Sequence, residues 1–298
     1  MNQIVGIGLN VWNGESTIIE TLKSLRSQTY QKIEIVILDN KSSDNTKKKV
    51  NEFIKKDKKN KIKIKFIVDK KKRNIPDSQI FILKKYLKKF KYSMIANDDD
   101  VYMPSYVENL LKKLKKSRVN MVYSFKRKID ENGKLYNLNN FPTYGKNDSY
   151  FFNSIKFLIY REHYKISFGI YETDKYLDLM RYSKVYDKSK TNWDNVSMVY
   201  FLLNYKIDFT KKKLFYFFEK DRAKTAKRRK NETYNEFVSI FKIFVYQYNF
   251  SIQVFNIIKK NKKISIIKKI LLVLVLIMSS FQKSIFYVIK FFLEKFKN

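Results

Sequence analysis

Three consecutive carboxylates, Asp98-Asp99-Asp100, are the most chemically loaded stretch of the sequence. Aspartates ionise at about pH 3.9, so at neutral pH all three are charged and repel one another. A cation should share such a site. Hard oxygen donors in a row suit Mg2+ or Mn2+ that also binds phosphate oxygens, which is how a diphosphate leaving group is neutralised without a proton donor. The competing account is a solvated acidic turn ahead of a helix starting near Ser105, where negative charge complements the helix dipole. A second acidic turn, Asp39-Asn40-Lys41-Ser42-Ser43-Asp44-Asn45, consists mostly of side chains that favour turns and caps over ladder pairing.

The elements that must carry these turns follow from hydrophobic period. Val5, Ile7, Leu9 and Val11 alternate as a strand, without the basic start and continuous apolar run of a signal peptide, so a cytoplasmic location is expected. Ile18, Ile19, Leu22 and Leu25 share a helical face. Ile33 to Leu38 is an apolar run broken only by Glu34, suited to a strand buried on both sides. Val50, Phe53 and Ile54 mark the next helix, Ile62, Ile64, Phe66 and Val68 a third strand, and Ile80, Leu83 and Leu87 another helix. Met94, Ile95 and Ala96 form a short strand ending in Asn97-Asp98-Asp99-Asp100. Such alternation predicts an α/β fold with a Rossmann-like, mostly parallel sheet flanked by helices, whose ligands sit beyond the carboxyl ends of the strands. Both acidic turns fall at such ends. Val119 to Phe125 gives one more strand, and the polar stretch Asp130 to Ser149 reads as a long loop, a candidate lid.

Composition narrows the chemistry. The 298 residues carry 63 basic and 28 acidic side chains, a net charge of +35. A balance this basic attracts polyanions without choosing among nucleic acid, anionic lipid and nucleotide phosphates. Lysine excess with abundant Ile, Asn, Tyr and Phe also matches an AT-rich coding sequence. Zero cysteines exclude disulfides, zinc-thiolate sites and a cysteine nucleophile, and one histidine excludes any multi-histidine site. The Gly-rich, Lys-bearing loop of sugar-phosphate nucleotidyltransferases has no counterpart in Leu9 to Glu15.

Several strings together resemble family 2 glycosyltransferases of the GT-A fold. They are Ile7-Gly8-Leu9-Asn10-Val11-Trp12-Asn13-Gly14-Glu15, Leu25-Arg26-Ser27-Gln28-Thr29-Tyr30, Glu34 to Thr46, Asn74 ahead of a helix, and Asn97-Asp98-Asp99-Asp100-Val101-Tyr102-Met103-Pro104. A fainter likeness returns at Trp193-Asp194-Asn195 and at Tyr216 to Arg222. The resemblance implies a metal-dependent inverting transferase that moves a sugar from a nucleotide-diphosphate sugar, UDP-linked, to a hydroxyl of a bacterial surface glycan or lipid-linked acceptor. It places Asn10 and Trp12 near the nucleotide base, Asp39 on the uracil ring N–H, Asp98 by the ribose, Asp99 and Asp100 at the Mn2+ or Mg2+, and Arg73 within reach of the diphosphate. Asp194 falls on the general base, with Asp187 and Glu172 as alternatives. Arg222 matches a phosphate-contacting arginine, although Lys224 stands where the family usually has histidine, and His163 has no counterpart. A nucleotidyltransferase and a noncatalytic polyanion-binding protein are the rival functions, and no nucleic acid partner is expected.

By this reading residues 1–215 form the catalytic domain, with 1–125 the nucleotide-binding half and 126–215 the acceptor half. Residues 216–298 form a helical basic appendage with Lys259, Lys260, Lys262, Lys263, Lys268 and Lys269 ahead of an apolar run. Its longest uncharged apolar stretch, Ile270 to Gln282, has 13 residues, or about 20 Å of helix, too short for a simple span of about 30 Å. Basic and apolar residues in this order suit helices lying at an anionic membrane surface, here the cytoplasmic face of a bacterial inner membrane.

Overall fold

In the computed structural model, which describes residues 3–56, 62–129, 135–137, 143–161, 168–186, 193–218 and 236–295, the opening alternation becomes strand β1 (Val5–Val11). Helix α1 (Ile18–Arg26), β2 (Ile33–Asp39), α2 (Thr46–Lys56), β3 (Lys63–Val68), α3 (Ile75–Ile82) with a π-helical turn at Leu83–Leu87, and β4 (Tyr92–Asn97) follow in the expected order. Then come β5 (Val101–Tyr102), α4 (Tyr106–Ser117), β6 (Met121–Ile129), β7 (Leu135–Asn137), α5 (Tyr150–Tyr160), β8 (Gly169–Glu172), α6 (Thr173–Tyr186), α7 (Trp193–Asn204), β9 (Ile207–Phe218), α8 (Glu236–Lys260) and α9 (Ile266–Lys295). The stretch read as one long loop contains β7, which pairs antiparallel with β6; residues 130–134 and 138–142 lie outside the described residues.

The sheet runs β3-β2-β1-β4-β8-β6-β9-β5. Its first four strands are mutually parallel. Beyond β4 it turns mixed: β8 is antiparallel to both β4 and β6, β6 is parallel to β9, and β5 is antiparallel to β9. Strand order reverses at β1, which has β2 on one side and β4 on the other, so a crevice opens beyond the carboxyl ends of these strands. Val5, Ile7, Leu9 on β1 and Ile35, Val36, Ile37, Leu38 on β2 are fully buried, each contributing about 1.5–3 kcal/mol. Gly8 lets α3 approach: a Cβ there would lie 2.6 Å from both Ile82 Cγ2 and Ile95 Cδ1.

Two compact units divide the chain. The first gathers Met1–Lys146, Tyr164–Arg181 and Lys206–Asp221 and holds the sheet; the second gathers Asn147–His163, Tyr182–Tyr205 and Arg222–Asn298. This partition cuts across a linear boundary at residue 215, because α5 and α7 group with the carboxyl-terminal helices rather than with the sheet. Within the second unit, Phe157 and Leu158 of α5, Phe201 and Leu202 of α7, Phe250, Val254 and Ile258 of α8, and Leu272 and Leu276 of α9 are buried. One segment departs from expectation in length. Helix continues unbroken through Lys268, Lys269 and Lys283, so Ile266–Ile289, at 24 residues, is long and apolar enough to cross a membrane by length and composition.

Candidate active site

Helix α1 positions the acidic segment through its polar face. Thr21 and Ser24 share one face of α1, Gln28 follows just past its end, and all three are buried. Thr21 Oγ1 donates to the Asp100 carbonyl at 2.8 Å, Ser24 Oγ accepts from Tyr102 N–H at 3.1 Å, and Gln28 Nε2 donates to the Met103 carbonyl at 2.9 Å. Gln28 Oε1 also accepts from Val107 N–H at 3.0 Å, inside the first turn of α4. The segment from Asp98 to Pro104 is thus suspended by its main chain. Asp98 and Asp99 are half-buried, while Asp100 is fully buried and accepts from Asn97 Nδ2 at 3.0 Å. Burial, and then the Asp100 carboxylate, pushes the Tyr102 and Tyr106 hydroxyls well above the usual tyrosine range, so both remain neutral.

The loops after β1 and β2 are zipped together. Asn13, at φ 51°, accepts from Ser43 N–H through Oδ1 at 2.9 Å and donates its own N–H to Ser42 Oγ at 2.9 Å. Gly14 N–H donates to Thr46 Oγ1 at 2.9 Å, Glu15 N–H to Asp44 Oδ2 at 3.1 Å, and Asn45 N–H to Glu15 Oε2 at 2.8 Å. Gly14 also marks where this loop meets the acidic segment, since a Cβ there would lie 2.5 Å from Asp98 Oδ2. Asp39, at the end of β2, is buried and accepts from Ser42 N–H at 2.9 Å. The turns expected to bind donor thus meet at the carboxyl ends of β1, β2 and β4.

Asn10 lies opposite Asn97 across the β1–β4 pair and donates to Ser78 Oγ at 2.7 Å. Its Oδ1 is buried without a hydrogen-bond partner among the described residues, a cost that a donor group on a ligand would relieve. Trp12 is 45% exposed, with Lys72 Nζ 3.5 Å from its ring centroid. Arg73 sits on the same rim but is already engaged: Nε donates to Asp69 Oδ2 at 2.5 Å, and the guanidinium lies 4.2 Å from the Phe81 ring centroid. Asn40 clamps the Arg73 backbone from both sides, accepting its N–H and donating to its carbonyl at 2.8 Å each. The charge of Arg73 therefore meets Asp69 first.

Asp194 belongs to the second unit, half-buried in the first turn of α7, where its Oδ1 accepts from Asn195 N–H at 2.9 Å. Glu172 faces Tyr92 at the amino end of β4, away from Asn97, and accepts from Asn120 Nδ2 at 2.7 Å. That places it at the wrong end of the strand to serve as the base. Asp187, His163, Arg222 and Lys224 lie outside the described residues. Among the described residues no three His, Cys, Asp or Glu side chains converge on a metal point. The half-buried pair Asp98 and Asp99 nevertheless fits a divalent cation that completes its shell with phosphate oxygens and water.

Asp69 is a positioning residue absent from the sequence reading, while Asn40 and Gln28 stand within its quoted strings without an assigned role. Asp69 was within reach, because it follows β3 as Asp39 ends β2 and Asp98 follows β4. Its N–H donates to the Asp39 carbonyl at 2.8 Å.

A sheet of this order, with helices on its faces and acidic turns at its switch point, binds ligands beyond its strand ends, and it matches the GT-A fold of glycosyltransferases. Residues 7–175 match the family profile described as Glycosyl transferase family 2, and the chain belongs to that family. No curated protein sequence matches the chain at a significant level. Among solved structures, S. aureus TarS 1–349 superposes with a TM-score of 0.66 at 15% identity, covering 94% of this chain and 72% of that one. The same protein in complex with UDP-GlcNAc matches at a TM-score of 0.61 and 14% identity, covering 94% and 73%. The mannosyltransferase PcManGT from Pyrobaculum calidifontis, in complex with GDP-Man and Mn2+, matches at 0.52 and 13% identity, covering 95% and 74%.

Proposed function

We propose that this glycosyltransferase moves a sugar from a UDP-sugar, with inversion at the anomeric carbon, to a hydroxyl of a bacterial surface glycan or lipid-linked acceptor. The observation that carries the donor half of this reading is the meeting of Asn10, Trp12, Asp39, Asp98 and Asp99 at the carboxyl ends of β1, β2 and β4. Asp39 offers an acceptor to the ring N–H of a uracil, as a carboxylate suits an N–H edge, and the indole of Trp12 offers a face to the base. Asp98 serves the ribose. Asp99 would hold Mn2+ or Mg2+, with Asp100 behind it, and the ion when bound supplies positive charge for the diphosphate. TarS, the fold relative solved with UDP-GlcNAc, supports a uridine donor, whereas PcManGT was solved with GDP-Man.

Asp194 takes the role of base. Its carboxylate accepts the proton of the acceptor hydroxyl as that oxygen bonds to the anomeric carbon, and the bond from that carbon to the diphosphate oxygen breaks. The nucleoside diphosphate leaves with the electron pair. A thermal-shift panel of UDP-, GDP-, dTDP- and CMP-sugars with and without Mn2+ tests the donor assignment, since ligand at 100 times Kd stabilises by about 2.7 kcal/mol. A Mn2+-dependent rise with UDP-sugars alone is expected; a response to GDP-sugars instead moves the assignment to that nucleotide.

A further inference from the structure

Helix α9 is built inside out for water. Its inward face carries Leu272 and Leu276 and then Ser279, Ser280 and Ser284, all buried. Its outward face carries Ile267, Ile270, Leu274, Ile277, Phe281 and Ile285, which recur at helical spacing and are all exposed. The buried serines have a partner. Arg161, left-handed at φ 51° at the end of α5, donates to Ser279 Oγ at 3.1 Å, to Ser280 Oγ at 2.6 Å and to Gln247 Oε1 of α8. Its guanidinium also lies 4.1 Å from the Phe250 ring centroid. Polar groups satisfied against neighbouring helices, with apolar side chains turned outward, is the arrangement of a helix that faces lipid.

Charge supplies a second, independent indication. Lys259, Lys260, Lys262, Lys263, Lys268 and Lys269 crowd the turn between α8 and α9, and no acidic residue occurs from Asn256 to Phe281. At that end the two helices enclose an apolar groove of about 360 Å³, lined by Phe255, Ile266, Ile270 and Leu274 and by Lys259 and Lys269. Apolar floor and cationic side chains together match an acyl chain below an anionic headgroup. A second copy packed in parallel fits poorly, because it would bring six more lysines against these six. A full crossing also fits poorly, because Lys268, Lys269 and Lys283 all fall within the segment Ile266–Ile289 and leave no uncharged run of bilayer length.

We propose that the α8–α9 hairpin docks on an anionic lipid leaflet, with the outward face of α9 immersed in the interface and the lysines of the turn among the headgroups. Co-sedimentation of the full chain with vesicles tests this, using phosphatidylglycerol and phosphatidylcholine in equal parts against phosphatidylcholine alone. Binding to the anionic vesicles that weakens at high salt is expected. Replacing Lys259, Lys260, Lys262 and Lys268 by Gln should lower the partition coefficient about 600-fold, at about fivefold per lysine. Ile277→Glu with Phe281→Glu should abolish binding while circular dichroism and UDP-sugar binding stay unchanged, since both side chains are exposed. Equal binding to neutral vesicles, or none to anionic vesicles at low salt, overturns the proposal. Retention in the pellet after alkaline carbonate extraction overturns it in favour of a spanning helix. A concentration-dependent dimer that Ile277→Glu with Phe281→Glu dissolves overturns it in favour of a second copy. Donor binding is read separately in each variant, so failure at the membrane leaves the donor assignment standing.

Discussion

The three neighbouring aspartates have divided their labour by depth. Asp100 is buried and accepts from Asn97, while Asp98 and Asp99 are half-covered. Asp99→Asn should therefore abolish transfer and Mn2+-dependent donor binding while changing stability by no more than about 0.5 kcal/mol, as for a substitution outside the core. Calorimetry of UDP with and without Mn2+ checks it; undiminished metal-dependent binding in the folded variant takes Asp99 out of the site. Asp44 carries a pH signature. Partial burial pushes its carboxyl up, but hydrogen bonds from the Thr46 hydroxyl, Thr46 N–H and Glu15 N–H outweigh that and hold it below its usual range. A carboxyl depressed in the folded state lends stability above its unfolded pKa and loses it as pH falls through the folded one. The urea midpoint of wild type minus that of Asp44→Asn should accordingly be constant above about pH 5 and shrink below about pH 4. A difference that does not change with pH would show that the loop bonds do not favour the charged form.

At the scale of elements, α1 and the turn that follows it hold the acidic segment by its main chain. Gln28 satisfies the Met103 carbonyl and the Val107 N–H together, and Gln28→Ala would strand both. Stranding buried groups costs about 1–3 kcal/mol each, so a clear fall in Tm is expected, with donor affinity falling further than for an apolar substitution of equal cost. Equal losses would make Gln28 a core residue only. The parallel half of the sheet was legible because period decides it: β1 to β4 alternate or run apolar, and each ends at a turn-forming cluster. The mixed half was not. β8 has four residues and β5 two, too short for any period to register, and their pairing depends on contacts distant in sequence. In the site, strand-end aspartates were legible and their clamps were not, since a glutamine or asparagine bonding main chain across 75 or 33 residues leaves no local pattern. The lysines within α9 hid the length of that helix, because an uncharged-run count stops where a helix with an outward face can continue.

For the molecule as a whole, the proposed reaction separates donor binding from proton removal, the latter assigned to Asp194 of α7. Asp194→Asn should lower kcat by about a hundredfold or more with donor Kd nearly unchanged, the separation expected of a base that touches only the acceptor. Single-turnover kinetics at saturating donor measures it, and wild-type rates would pass the role to Asp187. The interleaving of the units also sets a timetable. β9 lies between β6 and β5 in the sheet, yet it spans Ile207–Phe218 while β5 spans Val101–Tyr102. A ribosome adding about 5–20 residues per second delivers the missing strand roughly 5–20 s after β5. Until then β5 has no strand to pair with and one edge of β6 stays open, so the nascent chain carries an unpaired strand edge of the kind that recruits other chains. Slowed translation through the intervening hundred or so residues lengthens that exposure, and the yield of soluble protein becomes a matter of elongation speed as well as of sequence.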